Sequence, residues 1–369
     1  MSSTLRISLV VVALLVMSGI AHAYPQYQLS HDQTCTACHI SPSGDGLLNE
    51  NGFAMAETAS QFGTAPEFLN GKLKTPKWLT LGGDIRTASG YIKTPENTLA
   101  AFPMQLELAG TAKFSNFSIH ATAGYPGLGA PPVFSREHFI QWQQNADGND
   151  GLYIRAGRFM PVFGLRFAEH QEYTRRYGGV PLWGERYGLG VAYIKTGYEV
   201  HATGFIQEPL LDPVVYGNGA AFYAEKRVCE CATIGIEGMF VKADNDNHTH
   251  LGVTGKYFIE SLNLLLSAEA QFVRQRVYSA PKSDAPLQLI GNLIATLQLS
   301  EFVQVDVGIG HYDSDIRIKD LDRDAADLNI RYSLTSHVEL QLNSRIELLA
   351  FGNGGPTGAY TLAQLHYRL

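Results

Sequence analysis

The residues with the clearest chemistry are Cys35-Thr36-Ala37-Cys38-His39. Two cysteines separated by two residues and followed at once by a histidine form the attachment pattern of a c-type haem. Each thiol can add across one vinyl group of the porphyrin, and His39 is then placed to be the proximal ligand of the iron. A CxxC pair alone also fits a redox dithiol or half of a zinc site. The motif therefore predicts one covalent haem c bound by Cys35, Cys38 and His39.

The sixth ligand of the iron is less well defined by the sequence. Met55 lies 16 residues after His39 on a predicted short helix, and its thioether would raise the reduction potential. His31, just upstream of the motif, is the rival ligand, and an open sixth position is a third alternative. An ordinary hydrophobic contact of Met55 explains its presence equally well.

Residues 1–23 have the pattern of a secretory signal peptide. A basic residue, an apolar run over residues 7–16 and a small-x-small cleavage pattern at residues 21–23 follow one another. The apolar run is too short to span a bilayer comfortably. We expect the mature chain to begin near Tyr24 and to enter the periplasm of a Gram-negative bacterium, where haem is attached to such motifs.

The composition restricts the class of protein. The chain has 369 residues, a formal net charge of −7, 37 Gly, 18 Tyr and 18 Phe. The negative charge argues against a nucleic-acid partner. No stretch after residue 23 reaches the ~18 apolar residues of a membrane helix. Abundant aromatic residues and glycine favour a transmembrane β-barrel in contact with outer-membrane lipid, although a soluble array of β-sandwiches would share this composition.

From residue 77 onward the hydrophobic pattern has a period of two. The clearest strand covers residues 338–348, in which Val338 and Leu340 share one face while Glu339 and Gln341 share the other. Similar alternation covers residues 262–273, 303–309 and 326–334. Strands near ten residues long with one apolar and one polar face are typical of membrane barrels. A soluble barrel would turn the apolar face inward, and the number and regularity of the strands favour the membrane.

The connections between the predicted strands alternate in length. Short connections lie at residues 113–116, 145–151, 196–197, 260–261, 300–301 and 335–337. Longer connections lie at residues 126–136, 161–186, 208–219, 244–248, 277–286 and 313–325. Bacterial barrels have short periplasmic turns and longer outer loops. We therefore predict an all-β fold: a transmembrane antiparallel β-barrel of about 16 strands over residues 77–369.

Residues 24–76 are predicted to form a separate, partly helical monohaem cytochrome c domain. A Pro/Gly-rich turn at residues 41–46 precedes a helical pattern at residues 49–62, with Asn51 as the expected N-cap. About fifty residues bury little core of their own, so a covalent haem would serve as that core. We expect this domain to plug the periplasmic end of the barrel.

A signal peptide, one CxxCH motif and a porin-like barrel together resemble the fused cytochrome–porins of the bacterial outer membrane, which include iron oxidases. The resemblance covers the whole mature chain in architecture, and its specific motif is residues 35–39. It implies extracellular electron transfer, with a periplasmic cytochrome c or similar carrier as one partner. The other partner would be an extracellular donor or acceptor, of which Fe(II)/Fe(III) is one. After its motif this chain has Pro42, Gly44 and Gly46, where the iron oxidases usually have aromatic and glycine residues.

Residues 153–164 resemble the strand and turn of phosphate-selective porins, with an Arg-x-Gly-x-hydrophobic-x-Pro-x-x-Gly run. The loop that follows contains Arg166, Arg175, Arg176 and Arg186. This resemblance implies the alternative function of an outer-membrane anion porin whose haem-bearing domain is a plug or a redox sensor. An enzyme with an open haem site, such as a peroxidase, ranks last because the chain offers no distal acid–base pair.

Several further residues have two interpretations. His120, His201 and His250 fall on the polar faces of their strands and are either pore lining or haem ligands. If the plug enters the barrel, we expect Glu107, His120, His201, Glu269 and Arg345 to surround the porphyrin. Cys229 and Cys231 predict a local disulfide at a short connection. The acidic outer loops at residues 244–248 and 313–324 either bind hard cations or carry solvated charge.

Overall fold

The computed structural model describes residues 29, 34–44, 46–94, 96–125, 127, 134–167, 169–181, 184–207, 217–244, 246–277, 285–319, 322–349 and 356–369. The predicted signal peptide and His31 lie outside the described residues.

Sixteen antiparallel strands form one closed barrel, in which each strand pairs with its neighbours in sequence and the first pairs with the last. The first eight are β1 Leu79–Thr94, β2 Glu96–Phe114, β3 Phe117–Tyr125, β4 His138–Gln143, β5 Gly151–Phe159, β6 Arg186–Lys195, β7 Tyr198–Ile206 and β8 Asn218–Cys229. The others are β9 Ala232–Lys242, β10 Asp246–Ile259, β11 Leu264–Val277, β12 Leu287–Gln298, β13 Val303–Asp313, β14 Asp322–Ser333, β15 Val338–Leu349 and β16 Pro356–Arg368. The prediction of a barrel with about 16 strands is confirmed.

The strands turn their apolar side chains outward and their polar side chains inward. Strand β7 shows this clearly, because Glu199 and His201 are buried while Val200 and Ile206 are exposed on the outer surface. Successive side chains of a strand point to opposite faces, so a lipid-facing exterior and a polar interior require this alternation. The polar residues of the period-two pattern therefore line the lumen, as predicted.

The two ends of the barrel differ in their connections. Connections such as the one between β6 and β7 are two residues long, and we call that end the short-turn end. At the opposite, long-loop end, the strand pairs β5–β6 and β7–β8 are joined by longer connections. Two of its loops are shorter than predicted, at residues 243–245 and 314–321, because β10 begins at Asp246 and β14 at Asp322. The connection between β1 and β2 lies at the long-loop end as well, but it is short, because β1 ends at Thr94 and β2 begins at Glu96.

The connection between β5 and β6, which we call the inner loop, folds back into the lumen over its described residues, 160–167, 169–181 and 184–185. Phe163 and Val180 pack against Phe205 and Met239 on the barrel wall. On the other side, Tyr173 packs against wall residues of β11, β12 and β14. A one-turn helix, Tyr173–Arg176, lies at this second contact. The inner loop therefore crosses the interior and narrows it.

Residues 34–76 form the N-terminal segment, which contains helices α1 (Cys35–Cys38) and α2 (Glu50–Thr58); the inner-loop helix is α3. Asn49 is the N-cap of α2, because its side chain accepts a hydrogen bond from the Gly52 amide. The prediction of Asn51 as N-cap is wrong. Asn51 lies in the first turn and instead donates to the Ala37 carbonyl. Among the described residues, no helix is both long and apolar enough to cross a membrane.

Candidate functional site

The haem-attachment motif forms a single helical turn. Cys35 and Cys38 lie at its two ends, and the His39 amide donates to the Cys35 carbonyl at 3.0 Å. His39 itself has extended backbone angles, φ −111° and ψ 147°. Residues three apart on a helix share one face, so both sulfur atoms lie on the same side of the turn. Neither cysteine is part of a disulfide among the described residues.

Two glycines allow the rest of the segment to pack closely on the motif. Gly44 lies beside the Cys35 side chain with a positive φ of 67°, a backbone conformation that favours glycine. A Cβ on Gly52 of helix α2 would collide with the Cys38 carbonyl oxygen. The Asn49 side chain donates to the Thr36 carbonyl at 2.9 Å and further ties α2 to the motif. The glycine at position 52 and the side chain of Asn49 therefore fix helix α2 against the motif.

The N-terminal segment binds the barrel at its short-turn end. Thr64 and Ser336 are joined by a 2.6 Å hydrogen bond between their hydroxyls. The buried His337 ring lies between two carbonyl oxygens, 2.7 Å from that of Ala65 and 2.6 Å from that of Arg368. The segment is therefore attached to the turn between β14 and β15 and lies beside the end of β16.

The same segment also binds residues deeper in the lumen. The Arg155 guanidinium on β5 donates to the Ser41 hydroxyl at 2.9 Å. Arg166 of the inner loop donates to the Ser43 carbonyl at 3.0 Å. Since Ser41 and Ser43 follow the motif directly, these contacts place residues 35–43 inside the barrel, between the short-turn end and the inner loop.

Charged side chains of the barrel wall and of the inner loop lie near the Cys35 side of the motif. Arg166 pairs with Glu199 at 2.6 Å, and Lys256 pairs with Glu225 at 2.8 Å. Burial raises the pKa of the Cys35 thiol, while the charge of Arg166 opposes that rise. Burial also raises the pKa of Cys38, against a contact from Asn51.

Glu199, Glu225 and Lys256 were not identified as site residues from the sequence. Each occupies an inward position near a short turn, at Glu199 on β7, Glu225 on β8 and Lys256 on β10. The period-two pattern assigns them to the lumen, but their convergence depends on the closure of the barrel. A search for charged inward residues near the short turns would have found them.

Among the lumen residues predicted to surround a porphyrin, His201 contacts this charged cluster through Glu199. Its Nε2 atom is 3.5 Å from the Oε2 atom of Glu199. Glu269 instead accepts from the Leu165 amide of the inner loop at 2.8 Å, and Arg345 binds Asp327 at 2.7 Å. Glu107 and His120 make their ion-pair contacts with Arg136 and Glu137.

Met55 is half-buried on helix α2, one turn beyond the glycine that packs on the motif. Nothing in this position tests the predicted role of Met55 as the sixth ligand, which stays a prediction. Residues three apart share a helix face, so Met55 and Gly52 point to similar sides of α2.

Two other predicted sites lie away from the motif. The sulfur atoms of Cys229 and Cys231 are 2.7 Å apart at the short-turn end, and their disulfide stays a prediction. At the long-loop end, His311, Asp322 and Asp324 bring their ligand atoms within 4.8 Å of one another. His311 already binds Asp324 through a 2.9 Å hydrogen bond.

The residues around the motif fit a covalent haem. Two thiols lie on one side of a helical turn, and a histidine follows them directly. This donor set matches the thioether and proximal-ligand chemistry of a c-type haem. Cys35, Cys38 and His39 would hold the group.

The closed barrel of 16 antiparallel strands is similar in fold to solved outer-membrane porins. OmpT of Vibrio cholerae matches with a TM-score of 0.61 and 12% identity over 81% of this chain and 100% of that one. An anion-selective porin from Comamonas acidovorans matches with a TM-score of 0.57 and 15% identity over 79% and 98%. OmpF of Salmonella typhi matches with a TM-score of 0.60 and 10% identity over 79% and 97%.

At these identities the likeness shows the fold alone. No protein-family model matches the chain, and no curated protein sequence matches it. The structure accordingly has the barrel fold of porins, with an N-terminal segment inside its lumen.

Proposed function

We propose that this chain is an outer-membrane porin-type channel whose N-terminal segment is a haem-bearing plug. The observation that carries the proposal is the pair of contacts from Arg155 and Arg166 to Ser41 and Ser43. These contacts hold the residues that follow the CxxCH motif inside the lumen. The porin fold supports the channel, and the motif supports the covalent haem.

The first candidate function is passage of small anions, including phosphate-like solutes. Arg155 is almost fully buried on the lumen wall and donates to a neutral hydroxyl rather than to a carboxylate. A guanidinium that is not bound to a carboxylate attracts anions locally once the segment that covers it is removed. The likeness to an anion-selective porin is consistent with this candidate.

Single-channel conductance tests the channel and the plug together. Deletion of residues 24–76 should raise the conductance severalfold, because it removes the segment that binds Arg155 and Arg166. In that variant, Arg155→Gln should lower the anion preference measured from the reversal potential in a salt gradient. Arg176→Gln is the matched control, since Arg176 is partly exposed and paired with Glu347. Unchanged conductance after the deletion would show that the segment is not a plug.

The second candidate function is electron transfer across the outer membrane. It is favoured by the position of Cys35, Cys38 and His39 beside the inner loop, between the two ends of the barrel. A bound haem supplies one-electron chemistry there. A periplasmic cytochrome c would exchange electrons at the short-turn end, and an extracellular donor or acceptor, such as Fe(II)/Fe(III), at the other.

Electron transfer is tested with the full chain in lipid vesicles. A membrane-impermeant reductant on the short-turn side should reduce an impermeant acceptor on the other side. The double variant Cys35→Ala/Cys38→Ala should abolish this transfer and also lose the peroxidase stain of covalent haem on a denaturing gel. If the wild-type chain, made with a working haem-attachment system, does not stain, the plug carries no covalent haem.

A further inference from the structure

We propose that residues 66–77, which we call the rim segment, bind the anionic headgroups of phospholipids in the membrane leaflet at the short-turn end. The rim segment joins the docked part of the N-terminal segment to strand β1. The inference rests on the membrane barrel and does not depend on the haem. It gives this part of the chain a lipid partner of defined chemistry.

The rim segment lies at the edge of the barrel, between two fixed points. Just before it, the Ala65 carbonyl oxygen lies 2.7 Å from the His337 ring, in the turn between β14 and β15. Just after it, the Trp78 carbonyl accepts a hydrogen bond from the Lys113 amide at 2.7 Å, near the end of β2. Strands β15, β16 and β1 are successive neighbours in the barrel. The rim segment therefore joins points on either side of β16 at the short-turn end.

Aromatic side chains mark the depth of this edge in the membrane. The rings of Trp78 and Phe114 are stacked with their centroids 5.8 Å apart, and both side chains are about half exposed. Phe114 shares the outer face of β2 with the exposed Leu108. Outer-membrane barrels carry girdles of aromatic residues where lipid meets water. The rim segment therefore ends at the level of the lipid headgroups.

The rim segment carries positive charge that no protein group neutralises. Lys72, Lys74 and Lys77 are exposed, and their side chains make no ion pair or hydrogen bond with the part of the chain that the structure describes. Three lysines against the single Glu67 give the rim segment a net charge of +2, whereas the whole chain has −7. Near an anionic membrane surface, each lysine strengthens the attraction by roughly fivefold.

Apolar side chains alternate with these lysines. Leu69 and Leu73 are 39% and 48% exposed, and Leu73 lies between Lys72 and Lys74. Segments that lie in a membrane interface combine lysines with apolar side chains that enter the boundary between headgroups and acyl chains. A zwitterionic lipid would cover the leucines but leave the positive charge unbalanced. An anionic phospholipid satisfies both.

The test measures which lipids surround Trp78 in the purified full chain, reconstituted in phosphatidylcholine vesicles. Trp142 and Trp183 are replaced by Phe, so that Trp78 is the only tryptophan. A small fraction of the lipid is then exchanged for brominated phosphatidylglycerol or, in parallel, for brominated phosphatidylcholine, both of which quench tryptophan fluorescence. At equal mole fraction the anionic probe should quench Trp78 severalfold more. High salt should remove this excess, because it screens the attraction between exposed charges.

Variants test whether the lysines of the rim segment cause the preference. The triple variant Lys72→Gln/Lys74→Gln/Lys77→Gln should quench equally with both probes, and Lys77→Gln alone should lower the preference by up to roughly fivefold. Lys93→Gln/Lys242→Gln/Lys319→Gln is the matched control, because it removes the same charge from exposed lysines at the long-loop end. This control should keep the preference. Heat-dependent gel migration checks that each variant is folded.

Two results would overturn the inference. Equal quenching of Trp78 by the anionic and the zwitterionic probe would mean that the rim segment does not select anionic lipid, as expected if its lysines bind an acidic protein instead. Loss of the preference in the matched control would mean that the net charge of the chain, and not the rim segment, attracts the lipid. The comparison at low and high salt needs no lysine variant, so it decides the question even if the triple variant does not fold.

Discussion

Gly52 is the residue at which helix α2 meets the haem-attachment motif. Its missing side chain leaves room for the Cys38 carbonyl oxygen, which also accepts a hydrogen bond from the Asn49 amide at 2.9 Å. A protein interior that is already well packed accommodates an added methyl group only by shifting its neighbours. The geometry of the two cysteines therefore depends on this one small residue.

We predict that Gly52→Ala separates α2 from the motif and weakens the docking of the N-terminal segment by roughly 1–3 kcal/mol. The expected results are less covalent haem per molecule and faster removal of the segment by limited proteolysis. Gly204→Ala is the control, because a Cβ at that position would meet nothing within 4 Å. Equal haem content and equal proteolysis in both variants would contradict the close packing at Gly52.

The inner loop is the element that divides the lumen. It is attached by Phe163 and Val180 on one wall and by Tyr173 on the other. Next to Tyr173, the buried Glu172 accepts a hydrogen bond from Asn292 at 2.8 Å and lies 3.8 Å from Arg345. Burial first, and then the charge of Asp327, raises the pKa of Glu172 to about 8, against the opposing charge of Arg345.

This pKa predicts a loss of stability as the pH rises. Between the ordinary range of a carboxyl group and about pH 8, Glu172 is protonated in the folded chain and ionised in the unfolded one. Folding then takes up a proton, so the free energy of unfolding falls by up to about 1.4 kcal/mol per pH unit and levels off above pH 8. Thermal unfolding in detergent at several pH values between 5 and 9 measures the slope. Glu172→Gln should flatten it, and an unchanged slope would refute the assignment to Glu172.

The strands were predictable from sequence, whereas the contents of the lumen were not. The alternation over β15, with Val338 outward and Glu339 inward, is a local property, so the residues of that strand alone are enough to predict it. The contact of Arg155 with Ser41 joins residues 114 positions apart, and no local pattern encodes it. The cap of α2 was misplaced by two residues because Asn49 and Asn51 are equally good caps by type, and only the packing on the motif separates them.

At the scale of the whole molecule, closure of the barrel depends on its last strand. Strand β16 pairs with both β15 and β1, over residues that include Tyr367 opposite Ile85. The Leu369 amide also donates to the Gly83 carbonyl at 2.8 Å. Closure leaves no unpaired strand edge, which a barrel in lipid requires.

We predict that deletion of residues 356–369 prevents assembly, because β1 and β15 would each keep an unpaired edge. The truncated chain should lose the difference in gel migration between heated and unheated samples that a folded outer-membrane barrel shows. Leu369→Phe is the control, since it keeps every strand pair and should preserve that difference. A heat-modifiable band from the truncated chain would mean that fifteen strands can close.

His337 is a single side chain that joins three parts of the molecule. It lies in the turn between β14 and β15, and its ring touches the Ala65 carbonyl of the N-terminal segment and the Arg368 carbonyl at the end of β16. Strand β16 is the strand that closes the barrel against β1. The seam of the barrel and the seat of the N-terminal segment therefore share one imidazole ring, so a disturbance of either is felt at the other.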